Sequence, residues 1–231
     1  MPAEATTWAV VVAGGSGARF GGPKQFAPLA GRTVVEWSSD AAGAACHKVV
    51  LVLPAGSAKG KVHADVVVSG GASRAASVRA GLAAVPAGAE LIVVHDAARP
   101  LSSPQLWAAV MGAVRQGADA ALPCLAVADT IKQRQDDGHL VTLDRSRLLA
   151  AQTPQAFSAA SLRTAHAGGA EATDDAALVE SLGGRVVYVE GEPTNLKVTS
   201  PVDLVLAEAL ISAGALAHLR QPARVGPVVS P

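Results

Sequence analysis

The sequence predicts an α/β fold: a Rossmann-like, mostly parallel twisted sheet with helices on both faces. Apolar runs alternate with segments of helical periodicity along most of the chain, a pattern typical of parallel strands joined by crossover helices. Half of the residues are hydrophobic, mostly small Ala and Val, which favours close packing of helices on a sheet. The 231 residues are enough for one domain with a sizeable core, which we expect to cover residues 1–220.

The first 127 residues alternate buried strands with helices that begin at capping residues. The apolar runs predicted as strands are Trp8–Val12, Lys48–Leu53, Asp65–Ser69, Leu91–Val94 and Ala118–Val127. The helices predicted between them cover residues 33–44, 73–85 and 103–116. Thr33 and Glu36 form a capping box, and Ser103 supplies a cap before a proline at the first helical position.

The pattern changes after residue 127. Two short runs, 130–135 and 139–143, flank Asp136-Asp137-Gly138, which predicts a β-hairpin that projects as an arm over about residues 130–152. Further elements and a tail are predicted beyond it: a helix capped at 173–174 and ending at 183–184, short strands at 186–190 and 196–198, a helix from Ser200-Pro201 to about residue 219, and a Pro-rich disordered segment at 221–231.

Composition excludes several classes of protein. The formal net charge is zero and aromatic residues make up 3%, so we expect no nucleic-acid partner. No apolar run approaches the roughly 20 residues that span a bilayer, and the first seven residues do not resemble a signal peptide; we therefore expect a cytoplasmic protein with no membrane partner. Cys46 and Cys124 are predicted to be buried reduced thiols. The six histidines do not have the spacing of zinc ligands, so we expect no zinc site.

Residues 11–26, VVAGGSGARFGGPKQF, combine a glycine-rich loop with cations. A Walker-A loop requires Lys and a hydroxyl directly after glycine, and a dinucleotide-binding loop requires glycine where Phe20 stands. Neither pattern is present. The remaining hypothesis is a nucleotidyltransferase loop, in which Gly14 and Gly15 expose backbone N–H groups to phosphate while Arg19 and Lys24 add charge. A glycine turn with solvated cations is the plain alternative.

Further candidates follow other predicted strands. Asp96 and Arg99 come directly after LIVVH, and ligands of parallel sheets bind beyond the carboxyl ends of the strands. There, Asp96 could orient Mg²⁺ or its waters, and Arg99 could hold an anion. Lys197 could reach the same crevice from the far side. Composition alone does not rank Arg145 or Thr153 above surface residues, and we interpret His95 as a structural residue.

Seven motifs occur in order along the chain: GGSGARFGGPKQF, GGASRAASV, HDAARP, DTIK, DRSRLLAAQTPQAF, TDDAALVE and NLKVTSPVDL. Over residues 8–210 the chain resembles the 2-C-methyl-D-erythritol 4-phosphate cytidylyltransferase family. The resemblance implies a fold of the nucleotide-diphospho-sugar transferase type and an enzyme of isoprenoid precursor biosynthesis that transfers CMP from CTP to 2-C-methyl-D-erythritol 4-phosphate. It also implies Mg²⁺ as cofactor and a homodimer whose exchanged arms complete the partner's substrate site.

The resemblance also assigns roles to residues of this chain. Arg19 and Lys24 match the family's transition-state stabilisers, and Arg145 and Lys197 match the residues that position the attacking phosphate. The positions that match CTP contacts are Ala13, Gly14, Gly15, Gly71 and Ser77. Those that match the sugar-phosphate and metal neighbourhood are Asp96, Ala97, Arg99, Thr130, Thr153 and Thr173, with Asp96 next to the Mg²⁺.

Two positions depart from the family pattern: Val12 stands where a proline is frequent, and Ala72 stands where an acid is frequent, which affects the expected cytosine contacts. The chain is too short for the fused bifunctional form, so we expect a monofunctional enzyme. Two alternatives remain open. A ribitol-5-phosphate cytidylyltransferase shares the loop but more often carries SVRP at 97–100, and a non-catalytic nucleotide-binding regulator would not need Arg19, Lys24 and Lys197 together.

Overall fold

The computed structural model describes residues 6–15, 17, 20–57 and 60–214. The strands within these residues are β1 Thr7–Val12, β2 Pro28–Leu29, β3 Arg32–Thr33, β4 Lys48–Leu53, β5 Val66–Ser69, β6 Leu91–Asp96, β7 Ala120–Ala126, β8 Lys132–Arg134, β9 Leu140–Thr142, β10 Leu149–Ala151, β11 Gln155–Ser158 and β12 Val186–Glu190. The α-helices are α1 Val34–Ala45, α2 Arg74–Ala83, α3 Pro104–Arg115, α4 Ala159–Ala167, α5 Asp175–Ser181 and α6 Pro201–Ser212. Lys24–Phe26 and Arg145–Arg147 are 3₁₀ turns.

The central sheet confirms the predicted α/β class. Its strands run β5-β4-β1-β6-β11-β7-β12, and β10 lies beside β7 on the same edge as β11. Strands β1, β4, β5 and β6 pair in parallel, as do β7 and β12. Strand β11 is antiparallel to both of its neighbours, and β10 is antiparallel to β7, so these two strands interrupt an otherwise parallel order.

Helices cover both faces of the sheet, as predicted. Alternate residues of a strand point to opposite faces, and in β1 Val11 packs with residues of α1 and α3 while Val10 packs with residues of α2, α4 and α5. Both faces of β1, β4 and β6 are therefore covered, which explains why these strands are continuous apolar runs rather than alternating ones.

The strand register places the loops of interest together. Val12, the last residue of β1, is level with Val52 of β4 and Asp96 of β6. Leu53 of β4 is in turn level with Ser69, the last residue of β5. Because the carboxyl ends of these strands meet at one edge of the sheet, the loops that follow β1, β5 and β6 surround a common space.

Most predicted elements are confirmed, including the capping box of Thr33 and Glu36, the Ser103 cap and the β8–β9 hairpin. The predicted strand at 196–198 is wrong. That segment has no regular structure, although the Val198 N–H donates to the Ala98 carbonyl at 2.8 Å. The sequence did not predict β2, β3, β10, β11 or α4. Residues 215–231, which include the end of the last predicted helix and the predicted disordered tail, lie outside the described residues.

Cys46 and Cys124 are buried and free, as predicted. Burial raises the pKa of the Cys46 thiol to about 12 and that of the Cys124 thiol to about 11, so both stay protonated at neutral pH. In the described part of the chain, none of the helices combines the length and apolar character needed to cross a lipid bilayer.

Candidate active site

Two adjoining cavities open at the carboxyl edge of the sheet. The larger, of about 490 Å³, is bounded by residues 12–15, 24–25, 71–74, 77, 96–98 and 197. The smaller, of about 190 Å³, is bounded by residues 74, 96, 99, 151–153, 155, 173–174 and 197. Arg74, Asp96 and Lys197 line both cavities, so these three side chains form the boundary between the two spaces.

The glycine loop after β1 folds back on itself. Gly17 has φ +71°, and a Cβ atom there would lie 1.8 Å from the Gly22 carbonyl oxygen, so glycine is required at this position. The Gly17 carbonyl accepts the N–H groups of Phe20, Gly21 and Gly22. Gln25 is buried and donates from Nε2 to the Gly15 carbonyl at 3.1 Å. This folding brings Lys24 to the cavity wall.

Lys24 connects the loop with the distant end of the chain. Its Nζ donates to the Val198 carbonyl at 2.7 Å, next to Lys197, and both lysines line the larger cavity. The expected convergence of cations from distant segments therefore holds for Lys24 and Lys197. The third member of that prediction, Arg19, lies outside the described residues, as does Ser16.

The start of α2 forms the opposite wall of the larger cavity. Ser73 caps the helix by accepting the Ala76 N–H at 3.0 Å, and Ser77 Oγ accepts the Gly71 N–H at 3.2 Å. A Cβ atom on Gly14 would lie 3.1 Å from Ser77 Oγ, so this loop packs closely on the glycine loop. The N-terminal end of a helix carries partial positive charge and attracts phosphate. All five positions expected to contact CTP lie along this cavity: Ala13, Gly14, Gly15, Gly71 and Ser77.

Asp96 is the carboxylate at the boundary of the two cavities. Its Oδ1 accepts from Arg74 Nε at 3.1 Å, and its Oδ2 accepts from Lys197 Nζ at 2.6 Å. Burial alone would raise the pKa of Asp96, but Arg74 and Lys197 outweigh burial and hold its pKa well below the usual range. The carboxylate is therefore ionised at neutral pH and holds both cations in place.

The smaller cavity contains the other positions expected near the sugar phosphate. Arg99, Thr153 and Thr173 line it together with Asp96. Thr153 Oγ1 accepts the Asp96 N–H at 3.0 Å and therefore fixes the end of β6. Arg99 donates from Nη1 to the Asn195 carbonyl at 2.7 Å. Burial lowers the pKa of Arg99, although an arginine stays charged.

His95 is a structural residue in this arrangement, as interpreted from the sequence. It is fully buried. Its Nε2 is hydrogen-bonded to the Arg99 carbonyl and its Nδ1 to Thr153 Oγ1, both at 3.1 Å. Its ring also lies 5.0 Å from that of Trp107. Burial lowers the pKa of His95 to about 4, so the ring is neutral at pH 7. Its hydrogen bonds hold the Arg99 carbonyl and the Thr153 side chain in place.

An anchor that the sequence did not predict holds the segment carrying Lys197. Asn195 is fully buried and donates from Nδ2 to the Thr153 carbonyl at 2.9 Å and to Gln152 Oε1 at 3.3 Å. Gln152 Nε2 in turn donates to the Glu192 carbonyl at 2.9 Å. The motifs QTPQ and NLK both contain members of this anchor, but only the fold shows that they meet.

Arg74 is a second residue that sequence reasoning missed. It is the first residue of α2, directly after the Ser73 cap, and it bonds the carboxylates of both Asp96 and Asp175. The sequence did contain a feature that could have identified Arg74: it follows Gly70-Gly71 and a helix cap. Loops of this kind place the start of a helix at the ligand.

Two predicted positions lie away from both cavities. Thr130 is exposed in the arm, and Arg145 lines a separate space of about 440 Å³ at the base of the arm, where its Nη1 donates to the Ala128 carbonyl. A single chain therefore does not bring these two residues to Lys197. Ala97 and Ala72 both line the larger cavity.

The acidic residues of the site limit how it could hold a divalent cation. Among the described residues, no group of three His, Cys, Asp or Glu side chains is arranged to bind a metal. Asp96 is the single acid among the described residues lining the larger cavity, and both of its oxygens accept from cations. Mg²⁺ commonly binds through one or two carboxylates together with substrate phosphates. The donors present fit that form of site rather than an all-protein cage.

Comparison with known proteins identifies the family. The family model for 2-C-methyl-D-erythritol 4-phosphate cytidylyltransferase (IspD) matches residues 7–213. A protein of that name from Rhodococcus opacus (strain B4) is 46% identical over 217 residues, which cover 90% of this chain and 96% of that protein. One from Nocardia farcinica (strain IFM 10152) is 44% identical over 214 residues, covering 88% and 93% respectively.

Solved structures agree with this comparison. The crystal structure of 2-C-methyl-D-erythritol 4-phosphate cytidylyltransferase from Thermus thermophilus matches with a TM-score of 0.77 and 41% identity, covering 88% of this chain and 98% of that one. The fold of the sheet and its helices is thus a known architecture. The chain is a member of the 2-C-methyl-D-erythritol 4-phosphate cytidylyltransferase family.

Proposed function

We propose that the protein transfers the cytidylyl group of CTP to 2-C-methyl-D-erythritol 4-phosphate. The products are 4-diphosphocytidyl-2-C-methyl-D-erythritol and pyrophosphate, and the step belongs to non-mevalonate isoprenoid biosynthesis. Family membership supports this reaction. The observation that carries it is the convergence of Lys24, Lys197 and Arg74 on two adjoining cavities, because the reaction must bring two phosphate-bearing anions together.

The chemistry requires little from the protein except positioning and charge. An oxygen of the polyol phosphate forms a bond to the α-phosphorus of CTP as the bond from that phosphorus to the bridging oxygen of the β-phosphate breaks. The attacking oxygen is already anionic, so no general base is needed. The barrier is dominated by repulsion between the anions and by charge developing on the leaving pyrophosphate, and fixed cations and backbone N–H groups lower both.

The two cavities divide the substrates between them. We assign the nucleotide to the larger cavity, with its triphosphate against the glycine loop and Lys24, and the polyol phosphate to the smaller cavity near Arg99 and Thr153. Lys197 lies at the boundary, where it would align the attacking phosphate. Arg19 is included as a transition-state stabiliser from the family resemblance.

Mg²⁺ is proposed to enter with the triphosphate, with Asp96 as the neighbouring carboxylate. When bound, the ion neutralises phosphate charge that the lysines alone would not balance. We expect CTP to bind more weakly when EDTA replaces Mg²⁺ in isothermal titration calorimetry. Equal CTP affinity under both conditions would contradict this assignment.

We further propose a homodimer in which each arm supplies Thr130 and Arg145 to the partner's smaller cavity. Three apolar residues of the arm, Leu140, Val141 and Leu149, are exposed in the single chain, and a chain does not bring its own Arg145 to Lys197. Co-expression of Lys197→Ala and Arg145→Ala chains tests this arrangement. A mixed dimer with arm exchange retains one intact site and about half of the wild-type activity. No recovery of activity would show that Arg145 does not act across the dimer.

We also propose a cytoplasmic location, on the resemblance and on the two free cysteines, since thiols persist in reducing compartments. Activity measured in separated cell fractions tests this location.

Substrate preference provides the test of the proposed function. Pyrophosphate release is measured with CTP and Mg²⁺, with either 2-C-methyl-D-erythritol 4-phosphate or ribitol 5-phosphate as acceptor. We expect kcat/KM to be higher for the methylerythritol compound. A preference for ribitol 5-phosphate would overturn the acceptor assignment, and CTP binding without turnover on either acceptor would favour a nucleotide-binding regulator.

A further inference from the structure

A line of alternating charges runs from the boundary of the two cavities into the protein interior. Lys197 Nζ lies 2.6 Å from Asp96 Oδ2, and Arg74 Nε lies 3.1 Å from Asp96 Oδ1. Behind them, Arg74 Nη1 donates to Asp175 Oδ2 at 2.8 Å, and Asp175 Oδ1 pairs with His166 Nε2 at 3.0 Å. The line thus connects a lysine at the cavities with a carboxylate on the far side of Arg74.

Asp175 itself lies behind the wall of the two cavities. Its side chain is 1% exposed, and it lines neither cavity. It lies in the first turn of α5, where the neighbouring Asp174 already caps the helix by accepting the Ala177 N–H. A buried carboxylate is costly unless it is paired, and Asp175 is paired through one oxygen with the arginine at the cavity boundary and through the other with His166.

We propose that Asp175 is a positioning residue that keeps one oxygen of Asp96 available to Lys197. A guanidinium group readily takes both oxygens of a single carboxylate as a parallel pair of hydrogen bonds. Asp175 holds one edge of Arg74, so Arg74 reaches Asp96 through Nε and leaves Oδ2 to the lysine. Without the charge of Asp175, Arg74 turns fully toward Asp96 and displaces the Lys197 ammonium from its place.

The orientation of Arg74 matters to both cavities because its side chain borders each of them. Its Nη2 is buried and makes no hydrogen bond within the described part of the chain. Burial alone would lower the pKa of Arg74, but Asp96 and Asp175 raise it, so the group is a permanent cation held between two anions. Asp175 therefore acts on the reaction through Arg74, Asp96 and Lys197, without touching a substrate.

The test is the isosteric substitution Asp175→Asn. The amide oxygen can still accept from Arg74, but the negative charge is lost. We expect kcat to fall by about tenfold, within the range found for coupled residues of one ion-pair network, while KM for CTP changes by less than about twofold. Asp65→Asn is the matched control: Asp65 is also a carboxylate paired with a cation, accepting from Lys48 Nζ at 2.7 Å, but it lies away from both cavities. We expect this control to leave kcat unchanged.

A double-mutant cycle separates positioning from a merely structural role. In a Lys197→Ala background, Asp175→Asn should cause little further loss of kcat, since the group that it positions is gone. Losses that multiply, or wild-type kcat in the single variant, would overturn the proposal. If Asp175→Asn does not fold, Asp175→Ser replaces it in the same cycle, because it also removes the charge from the far side of Arg74; multiplying losses there would overturn the proposal equally.

The proposal rests on the proposed function for the identity of the acceptor, but different experiments would refute the two. Wild-type turnover on the two polyol phosphates tests the function. The cycle compares variants with wild type on whichever acceptor the wild type uses, so it tests the position of Lys197 independently of the acceptor's name.

Discussion

Replacing Lys24 by alanine removes a cation from the wall of the larger cavity. The Lys24 ammonium lines the larger cavity and is oriented by the Val198 carbonyl at 2.7 Å. A charge pair at about 4 Å in partly buried surroundings contributes about 4 kcal/mol. Removal of one preorganised donor costs about 10²–10³ in kcat, or about 2.7–4 kcal/mol. Both estimates place Lys24→Ala at a 10²–10³-fold loss of turnover.

The assay is steady-state pyrophosphate release with CTP, Mg²⁺ and 2-C-methyl-D-erythritol 4-phosphate. A matched control is Lys48→Ala, which removes a lysine that pairs with Asp65 at 2.7 Å on the surface, away from both cavities. The control should retain wild-type kcat. If Lys24→Ala turned over CTP at a near-normal rate while Arg19 was intact, charge from this lysine would not contribute to the transition state.

Three further predictions concern the anchor at Asn195, the position of the cytosine base and the pH dependence of stability. Asn195→Ala removes two buried hydrogen bonds; it should lower the free energy of unfolding by about 1–3 kcal/mol in denaturant titrations and reduce kcat by loosening the segment of Lys197. Ala72→Asp adds a carboxylate to the larger cavity that can accept from the cytosine amino group, so the ratio of kcat/KM for CTP to that for UTP should rise; an unchanged ratio would place the base elsewhere. Burial lowers the pKa of His95 to about 4 from 6.5. Between these values the unfolded state binds more protons, so the unfolding free energy falls as the pH drops through this range, and His95→Gln should remove about 2–3 kcal/mol of the difference between pH 7.5 and 4.5.

The parallel core of the fold was predictable because its signals are local. Strand β4 has the bounds that the sequence predicts, since an uninterrupted apolar run of this length favours a strand buried on both faces. Strand β12 also has its predicted bounds, although it is only partly buried. The helix starts were predictable because a capping side chain lies within three residues of the N–H group that it satisfies.

The elements around β11 were not predictable in this way. Gln155–Ser158 is a four-residue strand that enters the sheet antiparallel between β6 and β7, and its pairing is decided by strands about 35–65 residues earlier in the chain. Residues 196–198 show the opposite failure: an apolar pattern predicts a strand, but Asn195 and Val198 are anchored by distant hydrogen bonds instead.

Residue types and their order determined the class of fold, the glycine loop, the positions of Lys24, Asp96 and Lys197, and the resemblance that leads to the family. These depend on local propensity and on motifs that can be recognised without knowing where the chain goes. The tertiary structure alone decided that Arg74 borders both cavities, that Asp175 stands behind it, and that Thr130 and Arg145 lie apart from the rest of the site. Ion pairs between residues a hundred positions apart depend on distance and burial in space, and these arise only when the sheet has assembled.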